Sequence, residues 1–402
     1  MTAAIYRDHV IIGCGKCEDP EVRKMPTRNG RIIRALLLAT VLLLFRTASA
    51  SASGEWLTLS GVKEPEELNS LVQEYTGTVR ITFLGDCTLG SEEKTRSAVR
   101  GFVRTVEQNG YEYPFRNLRE LTAGDDLTVA NLEGVLSDRE LPKVKKTYNF
   151  KGTTDYTEIL KAGSVECVTL ANNHSHDYDT AGYRDTKAAL EKAGIAWFGT
   201  DCPAVWRNED GLMIGFLGVS GSLSGNRAKE YGKQAEMLRA AGCAAVITVM
   251  HAGTEYASAP DGYQQQIVNR ALKCGTDLII GHHPHVVQGY EIRNGVPVVY
   301  SLGNCVFGGN TNPKDHDALV VRAEMSFRAG ELMEITLRFY PVTVSGDPGR
   351  NDYSPVLLDG AEAERVLEKM EESTGVSPGS LDAAGCAVVT VSVSGIDEER
   401  EE

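Results

Sequence analysis

The chain has 402 residues, of which 42% are hydrophobic and 24% are charged, a composition typical of a folded globular protein. Its 41 Lys and Arg against 55 Asp and Glu give a formal net charge of −14. This acidic balance argues against a protein that holds nucleic acid through a basic face, because such a face must neutralise phosphates.

The N-terminal segment has the pattern of an export signal. Basic residues within 24–34 precede an apolar run of 11 residues at 35–45, and a small-x-small site follows at 48–50. So short a run predicts a secretory signal peptide, because a helix that crosses a bilayer needs about 20 residues. Arg46 in the cleavage region leaves open an uncleaved membrane anchor. We expect an exported protein that is extracellular, cell-wall associated or membrane-anchored.

Alternating strand and helix patterns predict an α/β domain over residues 79–317, after a lead-in at 51–78 with one helix near 64–74. The predicted strands are 79–84, 127–130, 165–170, 212–219, 244–250 and 277–280. The predicted helices are 181–193, 229–241 and 263–273. The turn Asn294-Gly295 predicts a hairpin of strands 290–293 and 296–300.

After residue 317 the hydrophobic period changes to two, which predicts a C-terminal extension. Strands 318–327 and 331–344 form a hairpin in this prediction, followed by a helix at 361–373 and a strand at 387–393. The chain is therefore divided into a leader with signal peptide, a lead-in, an α/β domain and an extension. Their bounds are 1–50, 51–78, 79–317 and 318–402.

Polar residues directly follow five of the predicted strands. Six of the eight histidines lie in three of these strand-end loops: His174, His176, His251, His282, His283 and His285. Carboxylate and amide side chains accompany them: Asp86, Glu133, Asn172, Asn173 and Asp177. Ligands bind at this edge of α/β sheets. Imidazole, carboxylate and amide oxygen suit Mn²⁺, Fe²⁺ or Zn²⁺, so we expect one or two divalent ions per chain, able to clamp a phosphoryl group and activate water.

Six short stretches within residues 79–310 carry a resemblance to a known family. They are Phe83-Leu-Gly-Asp86, Asn131-Leu-Glu-Gly134, Ala171-Asn-Asn-His-Ser-His-Asp177, His251-Ala-Gly-Thr-Glu-Tyr256, Gly281-His-His-Pro-His-Val286 and Tyr300-Ser-Leu-Gly-Asn304. In order and spacing the sequence resembles the CapA-type capsule-synthesis proteins, also called poly-γ-glutamate biosynthesis proteins, of the calcineurin-like metallophosphatase superfamily. The resemblance implies a four-layer α-β-β-α sandwich with metals at the strand ends.

The resemblance also implies a role for each matching residue. The implied metal ligands are Asp86, Glu133, Asn173, His251, His283 and His285, with Glu133 as the bridging carboxylate. His174 would face the phosphoryl leaving group, with Asp177 as its orienting partner. Thr88 stands where the superfamily's first motif has a histidine, so the first metal would lack one ligand.

Three functions are compatible with these patterns. The first is an exported component of capsule or poly-γ-glutamate synthesis or export, with an anionic polymer as ligand and membrane-bound polyglutamate synthase subunits as partners. The second is a secreted metal-dependent phosphatase or phosphodiesterase, in which a metal-bound hydroxide attacks a phosphoester and His174 is the general acid. The third is a non-catalytic polymer-binding module on the same fold. A basic patch at Lys143, Lys145 and Lys146 is a candidate for substrate contact.

Overall fold

The computed structural model describes residues 54–57 and 75–393. The predicted signal peptide, the helix predicted near 64–74 and the acidic end of the chain lie outside the described residues. Among the residues that are described, no helix combines the length and the apolar character needed to cross a bilayer.

The described residues form eighteen strands and seven α-helices. The strands are β1 Gly54–Leu57, β2 Gly77–Thr88, β3 Leu127–Leu132, β4 Val135–Leu136, β5 Lys151–Gly152, β6 Cys167–Thr169, β7 Ala196–Phe198, β8 Ala204–Asn208, β9 Met213–Ser220, β10 Ala245–His251, β11 Leu278–His282, β12 Val287–Arg293, β13 Val296–Leu302, β14 Asn304–Phe307, β15 Asp317–Arg328, β16 Glu331–Thr343, β17 Val356–Leu357 and β18 Ala387–Ser392. The helices are α1 Phe102–Asn109, α2 Arg119–Thr122, α3 Thr157–Ala162, α4 Asp179–Ala193, α5 Gly225–Ala240, α6 Gly262–Lys273 and α7 Gly360–Thr374.

Every strand and helix predicted within the described residues is present, with ends that differ by up to four residues. Local chemistry explains several of these ends. Helix α4 stops at Gly194, whose φ of 76° is easily reached only without a Cβ. Helix α6 starts at a capping box in which Asp261 accepts from the Tyr263 and Gln264 amides.

Two mixed sheets form the framework. The first sheet has the strand order β1-β8-β9-β10-β11-β13-β12, with β9, β10, β11 and β13 parallel. The second has the order β17-β16-β15-β2-β3-β6-β7, with β2, β3, β6 and β7 parallel, and with β14 added to β2 and β18 to β16. The parallel strands of each sheet therefore end at one common edge.

Alternate residues of the second sheet face two different cores. Ile81 and Phe83 of β2 lie in one buried cluster with Val249 and Ile280 of the first sheet, so the two sheets pack against each other. Leu84 lies in a second buried cluster that includes residues of α1, α3 and α4. Because strand side chains alternate between faces, one strand serves both cores.

The C-terminal hairpin pairs directly with the second sheet. Strand β15 is antiparallel to β2 from Val320 opposite Leu84 to Phe327 opposite Gly77. Helix α7 is tied to the start of β15 because Arg365 and Lys369 both form ion pairs with Asp317. The hairpin predicted as an extension thus completes the second sheet. The boundary between the α/β domain and the extension at residue 317 stays a prediction.

Candidate metal centre

The carboxyl ends of both sheets meet at one place, and the predicted site residues lie there. Asp86 is near the end of β2, and Glu133 directly follows β3. His251 ends β10 of the first sheet. The remaining predicted residues follow β6 or β11: Asn173, His174, Asp177, His283 and His285. The topology therefore brings together residues that are up to 200 positions apart in the chain.

Asp86 is a fully buried carboxylate with several donors around it. Its Oδ1 accepts from Asn131 Nδ2 at 2.7 Å, and its Oδ2 accepts from the His283 amide at 3.3 Å. The Nδ1 atom of His285 lies 3.0 Å from Oδ2. Burial alone would raise the pKa of Asp86, but the hydrogen bond and charge of His285 hold that pKa well below its usual range. Asp86 is therefore ionised.

Glu133 is at the middle of the cluster. Three imidazole Nε2 atoms surround its Oε1, at 3.5 Å from His251, 3.9 Å from His174 and 4.0 Å from His285. Within the described part of the chain this buried oxygen has no hydrogen-bond partner. Burial, with the charge of Asp86, raises the pKa of Glu133. A buried carboxylate oxygen without a donor is costly, and a cation among these atoms would remove that cost.

The histidines of the first sheet present ring nitrogens to the same centre. His251 Nε2 lies 2.7 Å from Asn173 Oδ1 and 3.0 Å from His283 Nδ1. His283 and His285 have φ values of 100° and 57°, a left-handed backbone that costs energy for residues with a Cβ. Burial lowers the pKa of both His251 and His283, which keeps the imidazoles in the neutral form that binds metals.

His285 differs from the other two histidines. Although burial opposes it, the carboxylates of Glu133 and Asp86 raise the pKa of His285 to about 10. The proton on His285 therefore balances two buried carboxylates where a metal ion would otherwise do so. Metal binding must release this proton, since only the neutral ring can be a ligand.

The donor set fits a divalent cation. One ligand atom each from Glu133, His283 and His285 lie within 4.8 Å of one another. The structure also links the other three predicted ligands to this group through the contacts of Asp86, Asn173 and His251. All six predicted ligands thus form one connected cluster of nitrogen and oxygen donors, the set expected for Mn²⁺, Fe²⁺ or Zn²⁺. Their individual roles as ligands stay predictions.

His174 and Asp177 form a pair at the rim of this cluster. His174 Nδ1 lies 2.8 Å from Asp177 Oδ2, which also accepts from the Phe150 amide at 2.6 Å. Lys146 forms an ion pair with Asp177, and its Nζ lies 3.0 Å from His174 Nδ1. Since Nδ1 is held on this side, Nε2 is the atom of His174 that faces Glu133.

Sequence reasoning did not predict the contacts through which several residues orient this site. Asn131 Nδ2 lies 2.7 Å from Asp86 Oδ1 and 3.0 Å from His251 Nδ1. Asn304 Oδ1 lies 3.0 Å from His285 Nδ1. Both asparagines lie in stretches that carried the family resemblance, and that was the available signal. Lys146 had been grouped with a substrate-binding patch, whereas its ammonium turns inward to Asp177; Lys143 pairs with Glu93 at the surface.

Two of the six strand-end histidines lie outside the cluster. His282 Nε2 lies 3.0 Å from the Leu84 carbonyl, so this ring joins the two sheets. His176 stacks on Tyr183, with ring centroids 4.3 Å apart. Thr88, at the position where the resemblance implied a histidine, is buried and donates to Glu133 Oε2 at 3.4 Å. The hydroxyl of Thr88 therefore orients the central carboxylate.

Comparisons with known proteins found several relatives of this chain. The chain is 26% identical over 322 residues to the capsule biosynthesis protein CapA of Bacillus anthracis, covering 73% of each chain. It is 28% identical over 265 residues to the PGA biosynthesis protein CapA of Bacillus subtilis, covering 58% of this chain and 65% of that protein. The solved structure of TT1561 from Thermus thermophilus matches with a TM-score of 0.37 and 12% identity, over 64% of this chain and 97% of that chain.

The match to a protein family covers more than half of the chain. The model of the bacterial capsule synthesis protein PGA_cap matches residues 80–309, which contain all of the predicted site residues. The chain belongs to this family of bacterial capsule synthesis proteins.

Proposed function

We propose that this protein is an exported, CapA-like component of capsule or poly-γ-glutamate biosynthesis that acts through a metal-dependent site. The names of its Bacillus relatives support the biosynthetic process. The single observation that supports the metal is Glu133 Oε1, a buried oxygen with three imidazole nitrogens within 4.0 Å and no donor among the described residues. An anionic polymer is the ligand in this proposal, and membrane-bound synthase subunits are the partners.

The same proposal includes the four-layer α-β-β-α sandwich. Its support is the burial pattern, in which one cluster joins the two sheets and includes α5 and α6, while another joins the second sheet to α1, α3 and α4. Helices outside two packed sheets leave the carboxyl edges of both sheets free to form one site.

The residues that would hold metal are Asp86, Glu133, Asn173, His251, His283 and His285. A divalent ion bound there would supply Lewis acidity and lower the pKa of water. Because His174 Nδ1 donates its proton to Asp177, Nε2 would carry a second proton only in the imidazolium form, and it would give that proton to a leaving oxygen. Lys146 and Phe150 fix Asp177, so the imidazole is oriented before a ligand arrives.

A second candidate, a non-catalytic polymer-binding module, is favoured by Thr88. Its hydroxyl occupies a position where a ligand nitrogen would be expected and donates to Glu133 instead. One fewer ligand weakens a metal site and with it the activation of water. The two candidates differ in turnover but not in fold.

Metal analysis of the protein purified without chelator tests this proposal, beside hydrolysis of a phosphodiester and a phosphomonoester with added Mn²⁺. We expect one to two metals per chain, and near-complete loss of metal in the variant His283→Ala/His285→Ala with unchanged circular dichroism. His176→Ala, in the same group of loops but outside the cluster, is the control and should keep its metal. Equal metal content in the double variant would refute the site; metal without hydrolysis would favour the binding module.

A further inference from the structure

Two exposed tyrosines border the candidate metal centre. Tyr148 is 47% exposed, and its ring lies nearly parallel to that of Phe150, with centroids 6.4 Å apart. Phe150 in turn packs on His174 at 4.5 Å. Tyr256 is 40% exposed, and its ring centroid lies 6.4 Å from that of His285. One tyrosine thus reaches the centre through His174 and the other through His285.

Each of these tyrosines has a lysine against its ring. Lys94 Nζ lies 5.8 Å from the centroid of Tyr148, and Lys314 Nζ lies 4.5 Å from that of Tyr256. The ring faces hold the ammonium groups by cation–π attraction. In a chain of net charge −14, two positive groups beside one site mark a place where negative charge can bind.

A small cavity lies beside Tyr148. Its volume is about 160 Å³, and its lining includes Ser91, Glu92, Gly309 and Asn310. Ser91 is 2% exposed, and its hydroxyl oxygen has no hydrogen-bond partner among the described residues. That oxygen is closed off from the cavity surface, so a ligand could use the space of the cavity but not this hydroxyl. A Cβ at Gly309 would lie 3.0 Å from the Phe150 ring, so a larger residue here would crowd Phe150 beside the cavity.

We propose that the pairs Lys94–Tyr148 and Lys314–Tyr256, with the cavity at Ser91, form a groove that holds an extended anionic polyamide across the metal centre. The lysines would meet carboxylates, and the ring faces would contact the flat amides and methylenes. Both cations are lysines, point charges that pair with carboxylates and phosphates alike, so the polyamide has to be tested against polyphosphate. This inference rests on the proposed function.

A glutamate lies close to each of the two lysine–tyrosine pairs. Glu92 forms an ion pair with Lys94 at 3.0 Å, and Glu255 directly precedes Tyr256. An anionic chain therefore meets one carboxylate near each lysine, so affinity is moderate and depends strongly on salt. Removing the charge of Glu255 should strengthen binding.

Fluorescence anisotropy with labelled poly-γ-glutamate, using the full chain, tests the groove. We expect Lys94→Gln/Lys314→Gln to weaken binding about tenfold and to reduce its salt dependence, and Glu255→Gln to tighten it about twofold. Lys233→Gln is the matched control, because Lys233 is 68% exposed like Lys94 and also pairs with a nearby glutamate.

Several outcomes would overturn the groove. The first is that the parent protein does not bind poly-γ-glutamate, and the second is that the double lysine variant binds it as tightly as Lys233→Gln does. The third is that the double lysine variant loses as much affinity for neutral dextran as for poly-γ-glutamate, which would indicate a carbohydrate site. Polyphosphate bound more tightly than poly-γ-glutamate would also contradict the polyamide. Metal content is measured separately. If the protein binds metal but the groove variants do not change polymer binding, this inference alone is refuted. If the protein binds polymer but no metal, the metal-dependent function alone is refuted.

Discussion

Strands β3 and β6 have carboxylates at their amino ends, and β3 also has one at its carboxyl end; the surroundings of these carboxylates differ. At the amino end, Glu166 Oε2 accepts from the Thr128 amide and Asp125 Oδ2 from the Thr128 hydroxyl, both at 2.8 Å. At the carboxyl end, Glu133 Oε1 faces three imidazoles and has no donor in the described chain.

The difference teaches how to separate a structural acid from a functional one. Burial raises the pKa of Glu166 to about 7 and that of Asp125 to about 6, so the amino end also holds strongly perturbed acids. Perturbation alone therefore does not mark a site. What distinguishes Glu133 is an unsatisfied oxygen surrounded by nitrogen donors.

The largest effect is expected at the carboxyl end, from Glu133→Gln. The variant should lose metal affinity by more than about 100-fold, because a charged donor becomes neutral. In chelator the free energy of unfolding of the variant should be about 1–3 kcal/mol larger than that of the parent, since a buried carboxylate oxygen without a donor is gone. Metal titration and urea unfolding measure both changes. A variant less stable than the metal-free parent would show that the buried Oε1 does not destabilise the fold. That result would contradict the distinction drawn between the two strand ends.

A smaller effect is expected at the amino end, from Glu166→Gln. The folded-state pKa of about 7 lies above the ordinary 4.5, so the native state binds the extra proton and stability falls as pH rises from about 4.5 to 7. The glutamine removes this loss, on the order of 2 kcal/mol, while its oxygen still accepts from Thr128. Urea unfolding at pH 4.5 and 7.5 should show a flatter profile with unchanged metal affinity; an unchanged slope would refute the assignment to Glu166.

The smallest effect is expected from Asp125→Asn. Its folded-state pKa of about 6 exceeds the ordinary 3.8, so stability is lost as pH rises from about 4 to 6. Attraction to Arg322 limits the gain on neutralising it, which we place at about 1 kcal/mol at pH 7. Thermal unfolding at pH 7 measures the gain. A loss of metal here would mean that the two strand ends are not independent.

The strands and helices that could be predicted were long segments with a regular pattern of hydrophobic residues. Strand β10 and helix α6 agree with their predictions to within one residue, because each buries one continuous apolar face. Strand β14 was not predicted. It has four residues, follows a turn at Gly303 with φ of 70°, and exists only because it adds to β2.

The site was predictable to the extent that it is built from strand ends. Asp86, Glu133 and His251 come together because parallel strands end at a common edge. Lys146 was predicted only as a candidate for substrate contact, and its ion pair with Asp177 was not predicted because it depends on how a long loop folds over Asp177. Side-chain contacts of this kind follow no fixed spacing in the sequence, so they cannot be predicted from it.

The pairing of β15 with β2 has a consequence for how the protein is made. Thr82 and Arg322 are hydrogen-bonded although 240 residues separate them, so the strand that carries Asp86 keeps one edge open until the hairpin has left the ribosome. Sheets closed by such distant partners form slowly, and an open edge invites association between unfinished chains. We therefore expect the edge of the strand that carries Asp86 to be closed only after the hairpin has been synthesised.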